Sequence, residues 1–443
     1  MSTSSEKGMT RRELVITGGA AAVGVAVGAA AGYGLAPNES GTTSTTASTE
    51  PVKLGAAYPL TGPYAGDGTQ MKLGIEMGVA QVNALGGLMG RKLTIDYGDI
   101  EDLSTDKVVN AVERVLSANP AALFMGYTTT GSAEYPAIVQ TGIPAFHNNT
   151  LTDNANWVAQ DLAKRGSIFQ ICPTELPYGP SFANLLKSLQ ATKKWTPSKK
   201  TAAIITSLDA YSLNISNQFK AAVEKDGWQV PIFEKVNAPL SEWGPVLSKI
   251  RANPPGVVFH ADYIVGDLAS FTKQFRADPT PSLLYEQYGP SVPEYLKLTG
   301  DAANGVIWST VIGILPDAIG KKYQEDFNAK FNQKPGLSLA GAQRDAVFLW
   351  WSAASRAGGP DDHAKVIDMI KASQFRGVCG SYNFAPTNLT AISYPGTGDP
   401  NIYTLDAGLG LPNLTFQIQN QEQILIYPEP YIKGTFQLPP WIS

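Results

Sequence analysis

The stretch KLGAAYPLTGPYAGDGTQMKLGIEMGVAQVNALGGLMGRKLTIDYGDIED, residues 53–102, decides the fold. It opens within the apolar run Val52–Tyr58, which is typical of a buried strand. A loop rich in Gly and Pro follows, and a helix is predicted through Met71–Asn83. Lys92–Tyr97 alternates apolar and polar residues and predicts a second strand. This strand–helix–strand order predicts the first unit of an α/β fold with a parallel sheet.

The same pattern continues along the rest of the chain. Ala121–Met125 and Ile143–Phe146 are short apolar runs that predict further parallel strands, and the pattern restarts after Cys172. Four more strands are predicted at Ala202–Thr206, Val257–His260, Leu283–Tyr285 and Val306–Thr310, and four helices at Ser181–Leu189, Ile215–Asp226, Pro245–Arg251 and Asp267–Phe275. The last predicted elements are helices at Ile319–Phe331, Ala342–Arg356 and Ala364–Ala372 and strands at Thr415–Gln419 and Gln423–Tyr427. The order predicts an α/β fold of two doubly wound parallel-sheet lobes.

The composition excludes several classes of protein. With 34 Lys and Arg residues against 38 Asp and Glu residues, the formal net charge is -4, which gives no electrostatic basis for binding nucleic acid. The chain has two cysteines and three histidines, so a Cys-rich zinc or iron–sulfur site is excluded. No metal or other cofactor is expected. A length of 443 residues predicts two or three domains.

The first 51 residues are predicted to be an export signal and a tether. Arg11 and Arg12 precede the uncharged stretch Leu14–Ala36, which resembles a twin-arginine signal. Residues 1–36 are therefore predicted to be a signal peptide, or an uncleaved N-terminal anchor, since the stretch is just long enough to span a membrane. Residues 37–51 are rich in Ser and Thr and predict a flexible linker. The protein is expected to be exported to the periplasm or the cell surface. Five N-x-[ST] sequons give weak support to export: Asn38, Asn148, Asn214, Asn388 and Asn413.

The usual signatures of catalysis are missing from the sequence. It contains no G-x-x-x-x-G-K-[ST] or G-x-G-x-x-G loop, and no H-E-x-x-H, G-x-S-x-G or C-x-x-C motif. The acidic residues Asp99, Glu101 and Asp102 follow a predicted strand and are interpreted as a solvated loop rather than an acid–base pair. We therefore expect a protein that is not an enzyme.

Two motifs in the opening stretch resemble a known family. Pro59–Gly68 fits P-x-[ST]-G-x-x-A-x-x-G and Asn83–Gly90 fits N-x-x-G-G-[IVL]-x-G, as in the solute-binding proteins of branched-chain amino acid ABC transporters. The resemblance extends over about residues 52–430. Further matching motifs lie at Gly126–Ser132, Asp209–Tyr211, Gly300–Gly305 and Gly377–Phe384. Ser212 and Arg344 depart from the family pattern, which has Gly and Tyr at these positions.

The resemblance implies a type I periplasmic-binding clamshell, in which three hinge crossings join two lobes. The crossings would fall near Gln170–Pro173, near Ile307–Thr310 and around Asn401. Lobe 1 would comprise residues 52–171 and 309–400, and lobe 2 residues 172–308 and 401–443. Cys172 and Cys379 would both lie near the hinge, as a disulfide or as two buried free thiols.

The resemblance also implies a function. Such a protein captures a small polar molecule, an amino acid (branched-chain or related) or an amide, between its lobes and delivers it to an ABC transporter permease in the membrane. It is expected to be a monomer. A ligand-binding sensor domain of the same fold is the main alternative, and an exported α/β hydrolase is a third interpretation.

Candidate ligand-binding residues in lobe 1 lie where strands end. Ligands of open α/β sheets bind at the carboxyl ends of strands, and a helix start there favours an anion. The loop Gly126–Ser132 supplies Thr128, Thr130, Gly131 and Ser132; the next strand end supplies Asn148, Asn149 and Thr150; and the first loop supplies Tyr64. An ordinary helix cap is the alternative for Gly126–Ser132, and a turn or glycosylated residue for Asn148.

Candidate residues in lobe 2 are carried by the resemblance. Tyr211 and Tyr263 correspond to ligand-facing positions. Tyr288 falls on the position of the acidic group that holds an α-ammonium in the family, and Glu286 lies two residues before it. Asp262 is another candidate anion. Packing or solvation is the alternative for each of these side chains. If no carboxylate reaches the site, a neutral amide or an aromatic acid is expected rather than an α-amino acid.

Overall fold

The computed structural model of the protein describes residues 49–442. The predicted signal or anchor, residues 1–36, and the linker as far as residue 48 lie outside the described residues. Within the described range, no helix combines the length and the hydrophobicity that crossing a bilayer requires.

The first sheet has five parallel strands in the order β2-β1-β3-β4-β5. The strands are β1 (Val52–Tyr58), β2 (Leu93–Asp99), β3 (Leu123–Met125), β4 (Ala145–His147) and β5 (Ile168–Gln170). The intervening helices are α1 (Ala65–Ala84), α2 (Thr105–Leu116), α3 (Tyr135–Thr141), α4 (Thr152–Ala159) and α5 (Leu162–Arg165). In α2, Val108, Ala111, Val112 and Val115 recur at helical spacing and are buried, as the sequence predicts.

The second sheet has seven strands and repeats the strand order of the first. Its strands are β6 (Thr201–Ser207), β7 (Gln229–Val236), β8 (Val257–Ala261), β9 (Leu283–Glu286) and β10 (Ile307–Thr310), with β15 (Leu414–Gln419) and β16 (Glu422–Tyr427) added from the C-terminal part. The order is β16-β15-β10-β9-β8-β6-β7, and β15 and β16 are antiparallel. The helices are α6 (Tyr178–Ala191), α7 (Ala210–Lys225), α8 (Gly244–Ala252), α9 (Val265–Ala277) and α10 (Pro293–Thr299). Separate apolar cores lie on its two faces, which makes this lobe doubly wound.

Between β10 and β15 the chain returns to the first sheet. The helices there are α11 (Ala318–Phe331), α12 (Leu339–Ala357) and α13 (His363–Lys371), and the short strands are β11 (Phe375–Arg376), β12 (Ser381–Tyr382), β13 (Ser393–Tyr394) and β14 (Leu411–Pro412). Helices α11 to α13 share one apolar core with the first sheet. Helix α12 packs closely on α1. The two helices are so close at Gly74 that a Cβ atom there would lie 2.2 Å from the Ala340 carbonyl oxygen.

The chain passes between the lobes three times. The first crossing lies between β5 and α6, at residues 171–177, and the second directly follows β10. The third lies between Leu411, in the core of the first lobe, and Leu414, in that of the second. The sequence predicts this crossing near Asn401, but β13 pairs with β14 and keeps residues 393–412 together. The predicted lobe boundaries stay predictions. For the third crossing between the lobes we propose residue 413.

Two details differ from the sequence analysis or settle an alternative. Strand β7 is not predicted, because Pro231 interrupts its pattern; the strand lies at the sheet edge, where a residue without an N–H is tolerated. Cys172 and Cys379 are free and buried, so they form no disulfide. Burial raises the pKa of both thiols.

Candidate functional site

A cavity of about 200 Å³ lies where the carboxyl ends of the strands of both sheets face each other. Loops that follow β3 and β4 form one wall, and loops that follow β6, β8 and β9 form the other. The first wall has Tyr127, Thr128, Thr129, Asn148, Asn149, Thr150 and Leu151, and the second has Asp209, Ala210, Tyr211, Tyr263 and Tyr288. Tyr178 begins α6, Ile312 lies in the second crossing and Leu339 begins α12. Seven of the residues predicted from sequence are therefore brought together here.

The loop after β3 uses its hydroxyl groups internally. Thr128 Oγ1 donates to Glu134 Oε1 at 2.9 Å, and Thr130 Oγ1 donates to the other oxygen of the same carboxylate. Gly131 and Ser132 have positive φ angles of 60° and 74°, which turn the chain before the helix begins. Helix α3 therefore begins at Tyr135, three residues after Ser132, where the predicted loop ends.

As a consequence, Thr128 lines the cavity but Thr130, Gly131 and Ser132 do not. Ser132 Oγ instead accepts a hydrogen bond from Asn154 Nδ2 at 2.8 Å. The helix start that we expected to favour an anion is not at the cavity wall, and Glu134 already accepts the two threonine hydroxyls. The structure therefore places Thr128 at the cavity and the other three residues away from it, and a ligand contact from those three stays a prediction.

The loop after β4 presents carboxamides to the cavity. Asn148 Oδ1 accepts from Gln343 Nε2 at 2.7 Å, and the buried Asn148 Nδ2 has no hydrogen-bond partner among the described residues. Gln343 is fixed in turn by Tyr58, whose hydroxyl donates to Gln343 Oε1 at 2.6 Å. Asn149 Nδ2 donates to the Thr128 carbonyl at 3.0 Å. Asn148 Nδ2 is thus a donor left for a ligand, and its burial leaves no room for a glycan.

No cationic side chain lines the cavity within residues 49–442. His147, which precedes the carboxamides, is buried, and desolvation lowers its pKa to about 3. Its Nδ1 accepts a hydrogen bond from the Asn149 N–H at 3.2 Å. His147 is therefore neutral at physiological pH and adds no positive charge.

The wall from the second lobe carries one carboxylate, Asp209, at the start of α7. Its Oδ1 accepts the Ser212 N–H at 2.9 Å, and its Oδ2 accepts the Ser207 hydroxyl at 2.6 Å. Each carboxylate oxygen has a second lone pair, so Asp209 still has capacity to accept from a ligand. It is the single charged residue of the cavity wall in the described part of the chain.

Tyrosine rings connect the two walls. Tyr263 of the second lobe lies 5.8 Å from Tyr127 of the first, between ring centroids, and 5.7 Å from Tyr211 of its own lobe. Tyr64, from the loop before α1, stacks on Tyr263 at 6.0 Å but does not line the cavity. Because these contacts run from lobe to lobe, the structure shows the cleft closed.

Asp262 and Glu286 do not reach the cavity. Glu286 is fully buried, and its carboxylate accepts the hydroxyls of Thr272 at 2.8 Å and Tyr295 at 2.6 Å. Side chains alternate along a strand, so the end of β9 directs Glu286 to the face that packs on α9 and α10. Asp262 accepts the N–H groups of Tyr263 and Ile264 at the start of α9. An ammonium contact from either carboxylate stays a prediction that this arrangement does not support.

The sequence analysis missed eight residues of the cavity wall: Tyr127, Thr129, Leu151, Tyr178, Asp209, Ala210, Ile312 and Leu339. Four of them had a usable signal, because Tyr127 and Thr129 lie inside the loop already selected, and Asp209 and Ala210 belong to the Asp209–Tyr211 motif. The sequence carries no such signal for Tyr178, Ile312 and Leu339, because their position at the cavity depends on how the two lobes meet.

No cluster of His, Cys, Asp or Glu suited to a metal ion occurs in residues 49–442.

Comparison with known proteins agrees with this architecture. A family model described as "Periplasmic binding protein" matches residues 51–394. The Leu/Ile/Val-binding protein homolog 3 of Brucella melitensis is 25% identical over 319 residues, 71% of this chain and 82% of that protein. The leucine-, isoleucine-, valine-, threonine- and alanine-binding protein of Pseudomonas aeruginosa is 23% identical over 336 residues, 75% of this chain and 85% of that protein.

A solved structure shows the same likeness. The Silicibacter pomeroyi protein, provisionally described as a branched-chain amino acid ABC transporter, superposes with a TM-score of 0.79 and 33% identity. The match covers 88% of this chain and 100% of that one. The resemblance found in the sequence and the type I periplasmic-binding fold are confirmed. With a family model matched over most of its length, the chain belongs to the periplasmic binding protein family.

Proposed function

We propose that this protein is an extracytoplasmic solute-binding protein of an ABC transporter. It captures a small polar molecule, an amino acid (branched-chain or related) or an amide, between its lobes. The single observation that carries the proposal is the cavity between the strand ends of the two sheets. The named binding functions of the Brucella and Pseudomonas relatives support the amino acid assignment.

The volume of the cavity limits the size of the ligand. A cavity of about 150 Å³ holds a benzene molecule. The present cavity, at about 200 Å³, therefore suits a ligand of roughly ten non-hydrogen atoms. Leucine and short amides fall in this range, and a peptide or a nucleotide does not.

The polarity of the walls favours a ligand with two different ends. Asn148 Nδ2 offers a donor on the first wall, and Asp209 offers an acceptor on the second. A carboxylate or carbonyl group therefore suits the first lobe, and an ammonium or amide N–H group suits the second. The rings of Tyr211 and Tyr263 cover the apolar part between these ends.

Capture requires no chemical change in the ligand. A ligand shifts the lobes toward closure only through contacts that it gains in the closed state. Micromolar affinity corresponds to about 8 kcal/mol, which charge-assisted hydrogen bonds together with burial of the ligand can supply. The closed form would then be presented to a membrane permease. The predicted signal or anchor and the Ser/Thr-rich linker would place this monomeric protein outside the cytoplasm.

The test is a thermal-shift screen of amino acids, urea, short amides and aromatic acids, followed by isothermal titration of the best compounds. We expect a ligand-dependent rise in melting temperature. Mass spectrometry of the released ligand should show an unaltered compound. A complete absence of stabilisation across the panel, or conversion of the bound compound, would contradict the proposal.

A further inference from the structure

A buried carboxylate in the first turn of α1 receives a hydrogen bond from each lobe. The Tyr127 hydroxyl, from the same lobe, donates to Asp67 Oδ2 at 2.7 Å. The Tyr288 hydroxyl, from the opposite lobe, donates to Asp67 Oδ1 at 3.0 Å. Asp67 is only 4% exposed and does not line the cavity, so it contacts the two tyrosines rather than the ligand.

Tyr288 crosses the cleft to make this contact. It follows β9 of the second sheet, yet its side chain belongs to the apolar core of the first lobe. Its backbone has φ 59° and ψ -52°, and the Gly289 N–H donates to the Gln287 carbonyl at 2.6 Å. This is a tight turn that a residue with a side chain rarely adopts. Such a conformation persists only where surrounding contacts hold it.

The start of α1 faces the second lobe. Gly66, next to Asp67, lies close to Glu294 of α10, since a Cβ atom at Gly66 would be 2.7 Å from Glu294 Oε2. Burial raises the pKa of Asp67 to about 6, although its hydrogen bonds from Tyr127 and Tyr288 lower it. At pH 7.5 the group is therefore ionised and accepts both hydroxyls.

We infer that Asp67 is a positioning residue that holds the two walls of the cleft together through its hydrogen bond from Tyr288, while Tyr127 donates to the same carboxylate from within one lobe. We call these three residues the Asp67 clasp. The Asp67 carboxylate does not line the cavity, so its hydrogen bonds with the two tyrosines form with or without a ligand. Its link to ligand affinity rests on the proposed function, whereas its effect on lobe closure does not.

The clasp predicts that the ligand-free protein populates the closed form. A hydrogen bond to a charged group is strong enough to change a two-state ratio about tenfold or more. The bond from Tyr288 exists only when the cleft is closed, whereas the bond from Tyr127 stays within one lobe. Loss of the Tyr288 hydroxyl should therefore open the cleft, and loss of the Tyr127 hydroxyl should not.

The experiment measures the distance between the lobes in the ligand-free protein at pH 7.5. Spin labels are attached at the exposed positions Asn110→Cys in α2 and Ser248→Cys in α8, and double electron–electron resonance gives the distance distribution. The native cysteines are buried and stay unlabelled. The test variant is Tyr288→Phe, and the matched control is Tyr127→Phe, which removes one hydroxyl from the same carboxylate. Both keep the ring, and melting curves check that both fold.

The expected result is a fall of about tenfold or more in the closed-to-open ratio for Tyr288→Phe, with the wild-type distribution retained in Tyr127→Phe. An unchanged distribution in Tyr288→Phe would overturn the clasp. Equal opening in both variants would overturn it too, because the bond across the cleft would then have no special role. The measurement needs no ligand, so a failed ligand screen would contradict the proposed function and leave this result standing.

Discussion

At the scale of single residues, Asp209 is the carboxylate that we propose as the acceptor for the ligand. The resemblance pointed to Asp262 and Glu286 as acidic partners of a ligand, but both are held inside the second lobe. Asp209 reaches the cavity because it precedes the first residue of α7 at the carboxyl end of β6. A motif position that caps a helix therefore also supplies the acceptor of the site.

Asp209→Asn is expected to lower the affinity for a ligand that carries an ammonium group by about tenfold or more, because a charge-assisted bond is lost. Asparagine also caps helices well, so α7 should keep its start. Isothermal titration should compare leucine with 4-methylpentanoate, which keeps the carboxylate and the side chain of leucine but has no ammonium group or N–H donor. Equal loss of affinity for both compounds, or no loss for leucine, would contradict the role of Asp209.

Asp262 predicts a pH dependence of stability. Burial is the main reason that its pKa is raised to about 6, and its Oδ2 has no hydrogen-bond partner among the described residues. Since the folded pKa lies above the unfolded value, ionisation opposes folding. This penalty is absent below about pH 4 and fully developed above about pH 6, where it amounts to about 3 kcal/mol.

Asp262→Asn removes that penalty and keeps an acceptor for the Ile264 N–H. The free energy of unfolding of the variant, relative to wild type, should therefore rise between pH 4.5 and pH 8, by up to about 3 kcal/mol. Urea unfolding at the two pH values measures it. A difference between variant and wild type that is the same at both pH values would show that Asp262 does not titrate in this range.

At the scale of elements, Glu175 ties the first crossing to a helix of each lobe. Glu175 Oε2 accepts the N–H of Thr152, the first residue of α4, at 2.8 Å. Glu175 Oε1 accepts from Asn214 Nδ2 of α7 at 2.7 Å. One buried side chain therefore fixes the start of α4, which follows the carboxamides of the cavity, against the second lobe.

Glu175→Ala is expected to lower the free energy of unfolding by about 1–3 kcal/mol, because it leaves the half-buried donors on Thr152 and Asn214 without these partners. Glu175→Gln keeps an acceptor and should cost about half as much. The urea midpoint at pH 7 measures both variants. A loss below about 0.5 kcal/mol in Glu175→Ala would contradict this role of the crossing.

Elements were predictable from the sequence where burial was continuous. The apolar runs of β3, β8 and β9 have two covered faces, so composition alone marks them as strands. Strand β7 is half-exposed and contains Pro231, and neither property is typical of a predicted strand. The loop after β3 shows another limit: its hydroxyls could be recognised, but not their capture by Glu134, which depends on turn geometry.

At the scale of the whole molecule, strand–helix order was sufficient to predict two lobes of the same plan. Both sheets have the order 2-1-3-4-5 in their first five strands, and ligand sites lie where such an order reverses. The walls of the site were predictable to the extent that they lie at strand ends. The contributions of Tyr178, Ile312 and Leu339 were not, because the lobe contact that brings them together leaves no local pattern.

One property of the whole molecule is central: a small polar ligand binds in the gap between the two sheets and is released chemically unchanged. A crystal structure with the tightest binder from the thermal-shift screen tests this most directly. It should show the intact compound between Asn148 and Asp209, with the ring of Tyr211 against it. Density for the compound on an outer surface, with this gap holding only solvent, would contradict the account.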